Sequence, residues 1–225
     1  MAALTLTHVV ARLSKFYGAP ALPPVTDPFE QVLWENVAYL ADDEKRAAAF
    51  SALRKTVGLR PEDILKAKPE KLLAVARMGG MVPELRAQRL RQSAEIVHIL
   101  LKGKLDAVLD ESLSTAKKTL QRFPTIGEPG AEKILMFAGR YPVLGLESNG
   151  LRVLLRLGFA EEQKSYSASY RGVKRAISSQ LPRTAKSLVN VHQLLRRHGQ
   201  ELCKRNRPLC DECPLKDSCA YAAQI

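Results

Sequence analysis

Four cysteines are the residues of this chain best suited to chemistry: Cys203, Cys210, Cys213 and Cys219. They fall within seventeen residues at the spacing C-x6-C-x2-C-x5-C, and no cysteine precedes them. Four thiolates in one loop can bind a [4Fe–4S] cluster or a tetrahedral zinc ion. Two disulfides fit poorly, because a chain of 225 residues can bury a stable core without covalent staples. The spacing therefore predicts a metal site, and with a single C-x2-C knuckle it leaves iron–sulfur and zinc both open.

The charge of the chain indicates its class of partner. Lysine and arginine number 35 against 23 acidic residues, which gives a net charge of +12. Such an excess favours a polyanionic partner, with nucleic acid first, although a merely soluble basic protein is the alternative. No apolar run approaches the roughly 20 residues that span a membrane, and the N-terminus lacks a secretory signal pattern. We expect a cytoplasmic protein, associated with the nucleoid if bacterial, in which thiols stay reduced.

The spacing of apolar residues predicts helices throughout. Apolar positions recur at i, i+3 and i+4, and glycines and prolines separate the periodic segments. No run alternates as a strand would, and no repeat is present. The pattern predicts an all-α protein of about ten short helices, folded as one large domain or two small lobes. In this pattern Thr26 or Asp27 caps a helix that has Pro28 at its first position.

The stretch Phe123–Leu135 reads as a helix, a tight turn and a second helix. Gly127 and Gly130 permit close backbone approach, and Pro129 stiffens the turn. The exposed amides at the start of the second helix are suited to a phosphate group. Many helix hairpins have glycine-rich turns without any ligand, so this stretch alone leaves an ordinary hairpin as the alternative.

These motifs together resemble the helix-hairpin-helix DNA glycosylases, specifically the iron–sulfur branch that holds endonuclease III and MutY. That family's hairpin reads roughly L-P-G-V-G-x-x-T-A, and a catalytic aspartate followed by R-V comes later in the chain. Here Phe123–Ala131 corresponds to the hairpin, and Leu146–Val153 carries Glu147 at the aspartate position and Arg152 in the R-V pair. The cysteine loop follows at the family's own spacing.

The resemblance implies an all-α, two-lobed helix-hairpin-helix glycosylase fold with a C-terminal [4Fe–4S] loop. One lobe would be a helical barrel over residues 28–140, ending in the hairpin. The cluster lobe would combine residues 1–27 with residues 141–225, and its four cysteines would hold the cluster. The implied partner is double-stranded DNA that contains a lesion or mismatch, bound by a monomer.

The chain departs from the family at the hairpin. Endonuclease III has its Schiff-base lysine where this chain has Pro129, which is no nucleophile. Thr125 replaces the first hairpin glycine, and Glu147 is one methylene longer than the aspartate. Lys133 lies one helical turn beyond Pro129 and is the alternative nucleophile, although a surface or phosphate-contacting lysine is the more ordinary interpretation. The sequence therefore predicts no lyase activity by the usual route.

Two carboxylates remain for hydrolysis of a base from its sugar, which passes through an oxocarbenium-like state. Glu147 is the candidate to stabilise that state, and the alternative is that it only caps a helix. Glu35 matches by position the glutamate with which MutY protonates adenine. Apolar neighbours would keep Glu35 protonated near neutral pH, whereas an exposed helix position is the alternative.

DNA contacts are expected from the hairpin amides, from the R-V arginine, from the loop between the first two cysteines and from a wedge: Thr125, Gly127, Gly130, Arg152, Lys204, Arg205, Arg207 and Leu40. Leu40 falls where endonuclease III has the residue that fills the gap left by a flipped base. The alternatives are an ion pair within its own helix for Arg152 and a core position for Leu40.

The sequence favours a monofunctional glycosylase that flips out a damaged or mismatched base and hydrolyses its N-glycosidic bond. The alternative is a catalytically silent paralogue that binds damaged or bent DNA. Thr125, Pro129 and Glu147 favour the silent protein. The cysteines, the hairpin and the two carboxylates favour the enzyme, whose target base the sequence does not reveal.

Overall fold

The computed structural model describes residues 4–39 and 41–224. Within them the chain is helical and contains no strand, which confirms the all-α prediction. The α-helices are α1 (Leu6–Tyr17), α2 (Pro28–Val37), α3 (Asp43–Thr56), α4 (Pro61–Lys66), α5 (Pro69–Met78), α6 (Pro83–Glu95), α7 (Leu105–Glu111), α8 (Leu113–Leu120), α9 (Glu128–Phe137), α10 (Ser148–Arg156), α11 (Tyr166–Ile177) and α12 (Ala185–Glu201). No helix in these ranges is long and apolar enough to cross a bilayer.

The helices form two compact units. The central unit is Val25–Arg140, and the terminal unit combines the chain up to Pro24 with the chain from Tyr141 onward. Short 3₁₀ turns at Cys210–Glu212, Lys216–Ser218 and Ala222–Gln224 follow α12 in the terminal unit.

Helix α2 organises the central unit, where it packs against α3, α6 and α9. Its start is fixed by Asp27, whose carboxylate accepts a hydrogen bond from the Glu30 amide at 2.8 Å, with Pro28 in the first turn. Its inner face buries Val32 and Leu33 completely. The turn at residues 26–28 therefore determines which α2 side chains point toward α9 and the hairpin.

The spacing of apolar residues predicts one helix over Leu85–Leu101, but the structure has two segments there. Helix α6 begins earlier, at Pro83, and ends at Glu95, after which the chain continues as a π-helical turn over Ile96–Leu100. Val82 precedes α6 with a φ of 53°, a left-handed conformation that is unfavourable for a β-branched residue. The periodicity of apolar residues could not reveal this change, because both segments keep a similar buried face.

In the terminal unit α10 packs against α11 and α12, and α1 packs against α12. Gly199 permits the close crossing of α12 over the start of α10, since a Cβ there would lie 2.7 Å from the Asn149 Cβ and carbonyl oxygen. This crossing lies at the first turn of α10, directly after the candidate carboxylate Glu147, which precedes the helix as its N-cap.

Candidate active site and cysteine loop

The hairpin joins α8 to α9, and Asn36 of α2 holds its turn. The fully buried Asn36 amide donates to the Pro124 carbonyl at 3.0 Å and accepts from the Thr125 hydroxyl at 3.2 Å. Thr125 has a φ of 64°, in the left-handed region where a non-glycine residue costs about 1–2 kcal/mol. The hydroxyl contact to Asn36 offsets part of that cost. Asn36 gave no signal in the sequence, because its partners lie almost ninety residues away.

The hairpin glycines leave the turn open to a ligand. A Cβ on Gly127 would meet only the Pro129 ring, at 3.8 Å, and one on Gly130 would make an ordinary contact of 3.4 Å with Ile126. Packing inside the protein therefore does not require either glycine. The exposed Gly127 precedes α9 without any side-chain cap, so the first amides of α9 have no capping side chain.

Lys117 neutralises the acidic residues of the hairpin. Its ammonium group lies 2.8 Å from the Glu128 carboxylate and 2.7 Å from that of Glu132. Burial opposes the charged form of Lys117, but the two carboxylates prevail and raise its pKa. Glu128, the first residue of α9, is thus paired by a cation, which reduces its repulsion of an anion at the hairpin.

Glu35 and Lys133 form an ion pair in the central unit. The Lys133 ammonium donates to Glu35 Oε1 at 2.8 Å, and the side chains of Lys133 and Glu35 are only 14% and 16% exposed respectively. Glu35 is therefore not on an exposed helix stripe. Its surroundings also differ from the purely apolar ones considered from the sequence, because α9 brings a lysine to it across 98 positions. An ammonium at this distance favours the charged carboxylate.

Glu147 caps α10 in the terminal unit. Its Oε1 accepts a hydrogen bond from the Gly150 amide at 2.8 Å, and its Oε2 accepts one from the Asn149 side-chain amide at 2.8 Å. The carboxylate is half-buried and fixed in position by both bonds. Capping thus accounts for its geometry, and a catalytic role for the same carboxylate remains a prediction.

Arg152 connects α10 to the cysteine loop. Its guanidinium donates to the Cys203 carbonyl at 2.9 Å, to the Gly199 carbonyl at 2.7 Å and to Asn149 Oδ1 at 2.8 Å. Burial lowers its pKa, while the Cys203 thiol acts in the opposite direction. The expected DNA contact of Arg152 stays a prediction, and these three bonds engage its guanidinium with α10, α12 and the first cysteine of the loop.

Arg156 was not identified from the sequence, although it lies four residues after Arg152 on the same helix. It donates to the carbonyls of Lys204 at 2.7 Å and Arg205 at 3.0 Å, and its guanidinium lies 4.5 Å from the Tyr221 ring centre. The i, i+4 spacing of two arginines was the available signal. Arg156 thus binds the loop through backbone carbonyls and not through side chains. The loop side chains predicted to contact DNA are all exposed: Lys204, Arg205 and Arg207.

The four cysteines line one small cavity in the terminal unit, and all four are free thiols. Burial raises the pKa of the Cys210 and Cys213 thiols, and the neighbouring cysteines add to this effect. Among the described residues, no group of three or more histidine, cysteine or acidic side chains is arranged to hold a metal ion. A [4Fe–4S] cluster takes one thiolate per iron, so its sulfurs lie farther apart than those around a single ion. That these four thiols bind a [4Fe–4S] cluster stays a prediction.

Leu40, the expected wedge, lies outside the described residues. Tyr166 begins α11, and partial burial together with the negative charge of Glu147 raises its pKa to about 12. An exposed apolar segment precedes α6, where Met81 is 81% and Val82 is 59% exposed. The sequence signalled neither position, because exposure depends on packing between helices.

No family model matches the chain, but known proteins are similar to it in sequence. An endonuclease III of Sulfolobus acidocaldarius is 27% identical over 194 residues, covering 86% of this chain and 82% of that protein. A thymine-DNA glycosylase of Aeropyrum pernix is 28% identical over 196 residues, with 84% and 85% covered. Both similarities extend across both units.

Solved structures share the fold. A trapped endonuclease III–DNA covalent intermediate superposes with a TM-score of 0.78 at 19% identity and 98% coverage of both chains. A thermostable thymine-DNA glycosylase also gives a TM-score of 0.78, at 15% identity, covering 98% of this chain and 97% of that one. Sequence and fold together confirm the resemblance that the hairpin and cysteine loop indicated.

Proposed function

We propose that this protein, an endonuclease III-like chain of the helix-hairpin-helix superfamily, is a monofunctional DNA glycosylase. It would flip a damaged or mismatched base from the duplex and hydrolyse its N-glycosidic bond without cutting the strand. The observation that carries the proposal is Glu147, a carboxylate held in place by two hydrogen bonds at the position of the family's catalytic aspartate. Pro129 at the lysine position supports hydrolysis without a covalent imine.

In the proposed reaction the bond between the sugar and the base breaks, and its electron pair leaves with the base. The sugar becomes an oxocarbenium-like cation, which water then attacks. The role assigned to Glu147 is electrostatic: its negative charge stabilises that cation. The Gly150 amide and the Asn149 side chain fix the carboxylate in advance, so no reorganisation is needed when the charge develops.

The departing base needs a proton, and the ion pair in the central unit is the proposed source. The sequence assigned this role to a protonated Glu35, whereas the Lys133 ammonium, 2.8 Å from Glu35 Oε1, favours the charged carboxylate. We therefore assign proton donation to the Glu35–Lys133 pair rather than to Glu35 alone. Glu35 positions the ammonium, and Lys133 supplies the proton.

DNA binding is assigned to two features. The open amides that begin α9 suit a phosphate group, and Gly127 leaves room for it. The exposed side chains of Lys204, Arg205 and Arg207 would neutralise further phosphates. A [4Fe–4S] cluster held by Cys203, Cys210, Cys213 and Cys219 would supply structural rigidity to that loop. Arg152 and Arg156 already hold the loop backbone from α10.

A silent DNA-binding protein is the second candidate, and the hairpin favours it. Thr125 adopts a left-handed conformation where the family has glycine, and Lys133 is engaged by Glu35 rather than available as a nucleophile. Binding of damaged DNA would need the hairpin and the basic loop but neither carboxylate.

Base release from a panel of single-lesion duplexes, followed by alkaline cleavage, separates the two candidates. We expect release from at least one lesion, strand breakage only after alkali, and no covalent complex on borohydride treatment. Glu147→Gln should abolish release while DNA binding persists, because the transition state loses its stabilising charge but phosphate contacts remain. Glu162→Gln, an exposed charge change in the same unit, is the matched control and should retain release.

Each other outcome contradicts a named part of the proposal. Binding without release from any lesion would establish the silent candidate. Borohydride trapping that Lys133→Ala removes would show that Lys133 is a relocated nucleophile and that the enzyme is bifunctional. Full activity in Glu147→Gln would leave that residue as a helix cap only.

A further inference from the structure

In the terminal unit the chain reaches Glu147 through a short segment, residues 144–146, that belongs to no helix. The side chains of Leu144 and Leu146 are buried in the core. Because a helix would otherwise pair them, the carbonyl groups of this segment need hydrogen-bond donors from elsewhere in the molecule. The donors that bind them act on the backbone directly before Glu147.

Helix α11 supplies two of these donors, both to the Leu144 carbonyl. The Lys174 ammonium donates to this oxygen, and the Tyr170 hydroxyl donates to it at 3.4 Å. Lys174 and Tyr170 are four positions apart and so project from the same face of α11. A carbonyl oxygen has two lone pairs and can accept both bonds, of which the charged donor makes the stronger. Helix α11 thus anchors the start of the segment.

Helix α12 supplies a third donor, to the next carbonyl along the chain. His192 is 2% exposed, and its Nδ1 lies 2.5 Å from the Gly145 carbonyl oxygen. A carbonyl only accepts hydrogen bonds, so Nδ1 carries the hydrogen. The ring lies in the packed interior, where side chains keep fixed positions. His192 therefore holds the backbone two residues before Glu147.

We propose that His192 is a positioning residue for the hydrolysis, because it fixes the chain that leads into α10 and thereby the place of the Glu147 carboxylate. This inference rests on the proposed function and deepens the role given there to Glu147. The bonds from the Gly150 amide and Asn149 fix the carboxylate relative to α10, whereas His192 fixes the entry to that helix. A misplacement of about 1 Å in a catalytic group can slow a reaction about 10²-fold, so both sets of bonds matter.

Three substitutions of His192 separate its hydrogen bond from its bulk. Asparagine carries an N–H group close to the position of Nδ1, leucine fills a similar space without a donor, and glutamine places its amide farther out, near the position of Nε2. We expect the single-turnover rate of base release to be ~10- to 100-fold lower in His192→Leu and His192→Gln. In His192→Asn the rate should be largely restored, because the donor to Gly145 is kept.

A second measurement does not depend on base release. The Gly150 amide donates to Glu147 at 2.8 Å, so the exchange of its hydrogen with solvent reports how firmly that bond is held. We expect faster exchange at Gly150 in His192→Leu and His192→Gln, while amides inside α1 keep their rates. In His192→Asn the Gly150 amide should exchange as in the wild type.

Gln193→Leu is the matched control for both measurements. It also removes a side-chain donor from α12, but this donor binds the Ala21 carbonyl at 2.8 Å and not the segment before Glu147. The release rate and the Gly150 exchange should therefore keep their wild-type values. Should His192→Leu fail to fold, Lys174→Met removes another donor to the segment and should slow release and speed Gly150 exchange in the same way.

Wild-type release and wild-type exchange in His192→Leu, or in Lys174→Met if it takes its place, would overturn the proposal. Equal losses in His192→Leu and His192→Asn would also overturn it, since the imidazole would then act through its bulk alone. Either change without the other means that His192 does not act on hydrolysis through Glu147. If the wild type itself releases no base, the glycosylase proposal fails, and Gly150 exchange alone decides whether His192 positions Glu147.

Discussion

At the scale of single residues, Glu147 meets the requirements of a helix cap and those of the proposed catalytic carboxylate. A helix cap needs an oxygen near the first free amides, and a glycosylase needs a carboxylate fixed beside the sugar. Both oxygens of Glu147 are hydrogen-bonded, so the longer side chain is held as firmly as a cap requires. The cap supplies the rigidity that the proposed catalysis would use.

Tyr166 offers a direct probe of the charge on Glu147. Burial and the Glu147 carboxylate raise the pKa of Tyr166 to about 12. Negative charge disfavours the phenolate, so Glu147→Gln should lower this pKa, whereas Glu162→Gln should leave it unchanged. Titration of ¹³C-labelled tyrosine by NMR measures it. If the pKa of Tyr166 is the same in Glu147→Gln as in the wild type, the Glu147 carboxylate does not influence the phenol.

At the scale of elements, the hairpin turn is held by hydrogen bonds from a residue of another helix, α2. Its left-handed Thr125 is tolerated because Asn36 of α2 bonds to both the Pro124 carbonyl and the Thr125 hydroxyl. The glycines, by contrast, relieve no clash in the protein. Stability and ligand access thus depend on different residues of one motif, and separate substitutions can test them.

Asn36→Ala should destabilise the protein by about 2 kcal/mol, because the part-buried Pro124 carbonyl loses the Asn36 amide as its donor. For a chain of this size the thermal midpoint should fall by roughly 4–8 °C. Gln121→Ala, an exposed change in the same turn, is the control and should leave the midpoint within about 1 °C. An equally stable Asn36→Ala would mean that water replaces the amide without cost.

Gly127→Ala should leave the stability within about 0.5 kcal/mol, because the new Cβ would meet only Pro129. The methyl group would stand beside the open amides of α9, so we expect weaker binding of duplex DNA at constant salt. Thermal unfolding and a binding titration measure the two effects. Unchanged affinity would show that no phosphate approaches the hairpin at this residue.

At the scale of the whole molecule, charge and metal binding are the properties to test. The excess of +12 is far more than the hairpin and the cysteine loop together would use. The four thiols are confined to one cavity of the terminal unit, so a metal bound there should stabilise that unit.

Protein purified without oxygen should contain about four irons per chain and absorb broadly in the visible range. Cys213→Ala should lose iron and colour and should unfold at a lower temperature, because the bound metal contributes to folding. Ser218→Ala, between the same cysteines, should keep both. A colourless protein with one zinc ion per chain would contradict the iron–sulfur proposal.

The sequence by itself determined the features that depend on near neighbours. Periodic apolar residues specified helices, and Pro28 after Thr26 or Asp27 predicted the start of α2, where Asp27 proves to be the cap. The cysteine spacing placed four thiols in a single loop, and the hairpin motif with the later Glu147 was sufficient to indicate the superfamily. These signals act within one or two helical turns, so they can be read directly from the order of residues.

Tertiary structure alone decided which side chains meet. Lys133 reaches Glu35 across 98 positions, Arg152 reaches Cys203 across 51, and His192 reaches Gly145 across 47. Each contact changes a role suggested by the sequence or creates a new one. The physical reason is that such pairs depend on how helices pack and rotate against one another, and no local periodicity or cap encodes those angles.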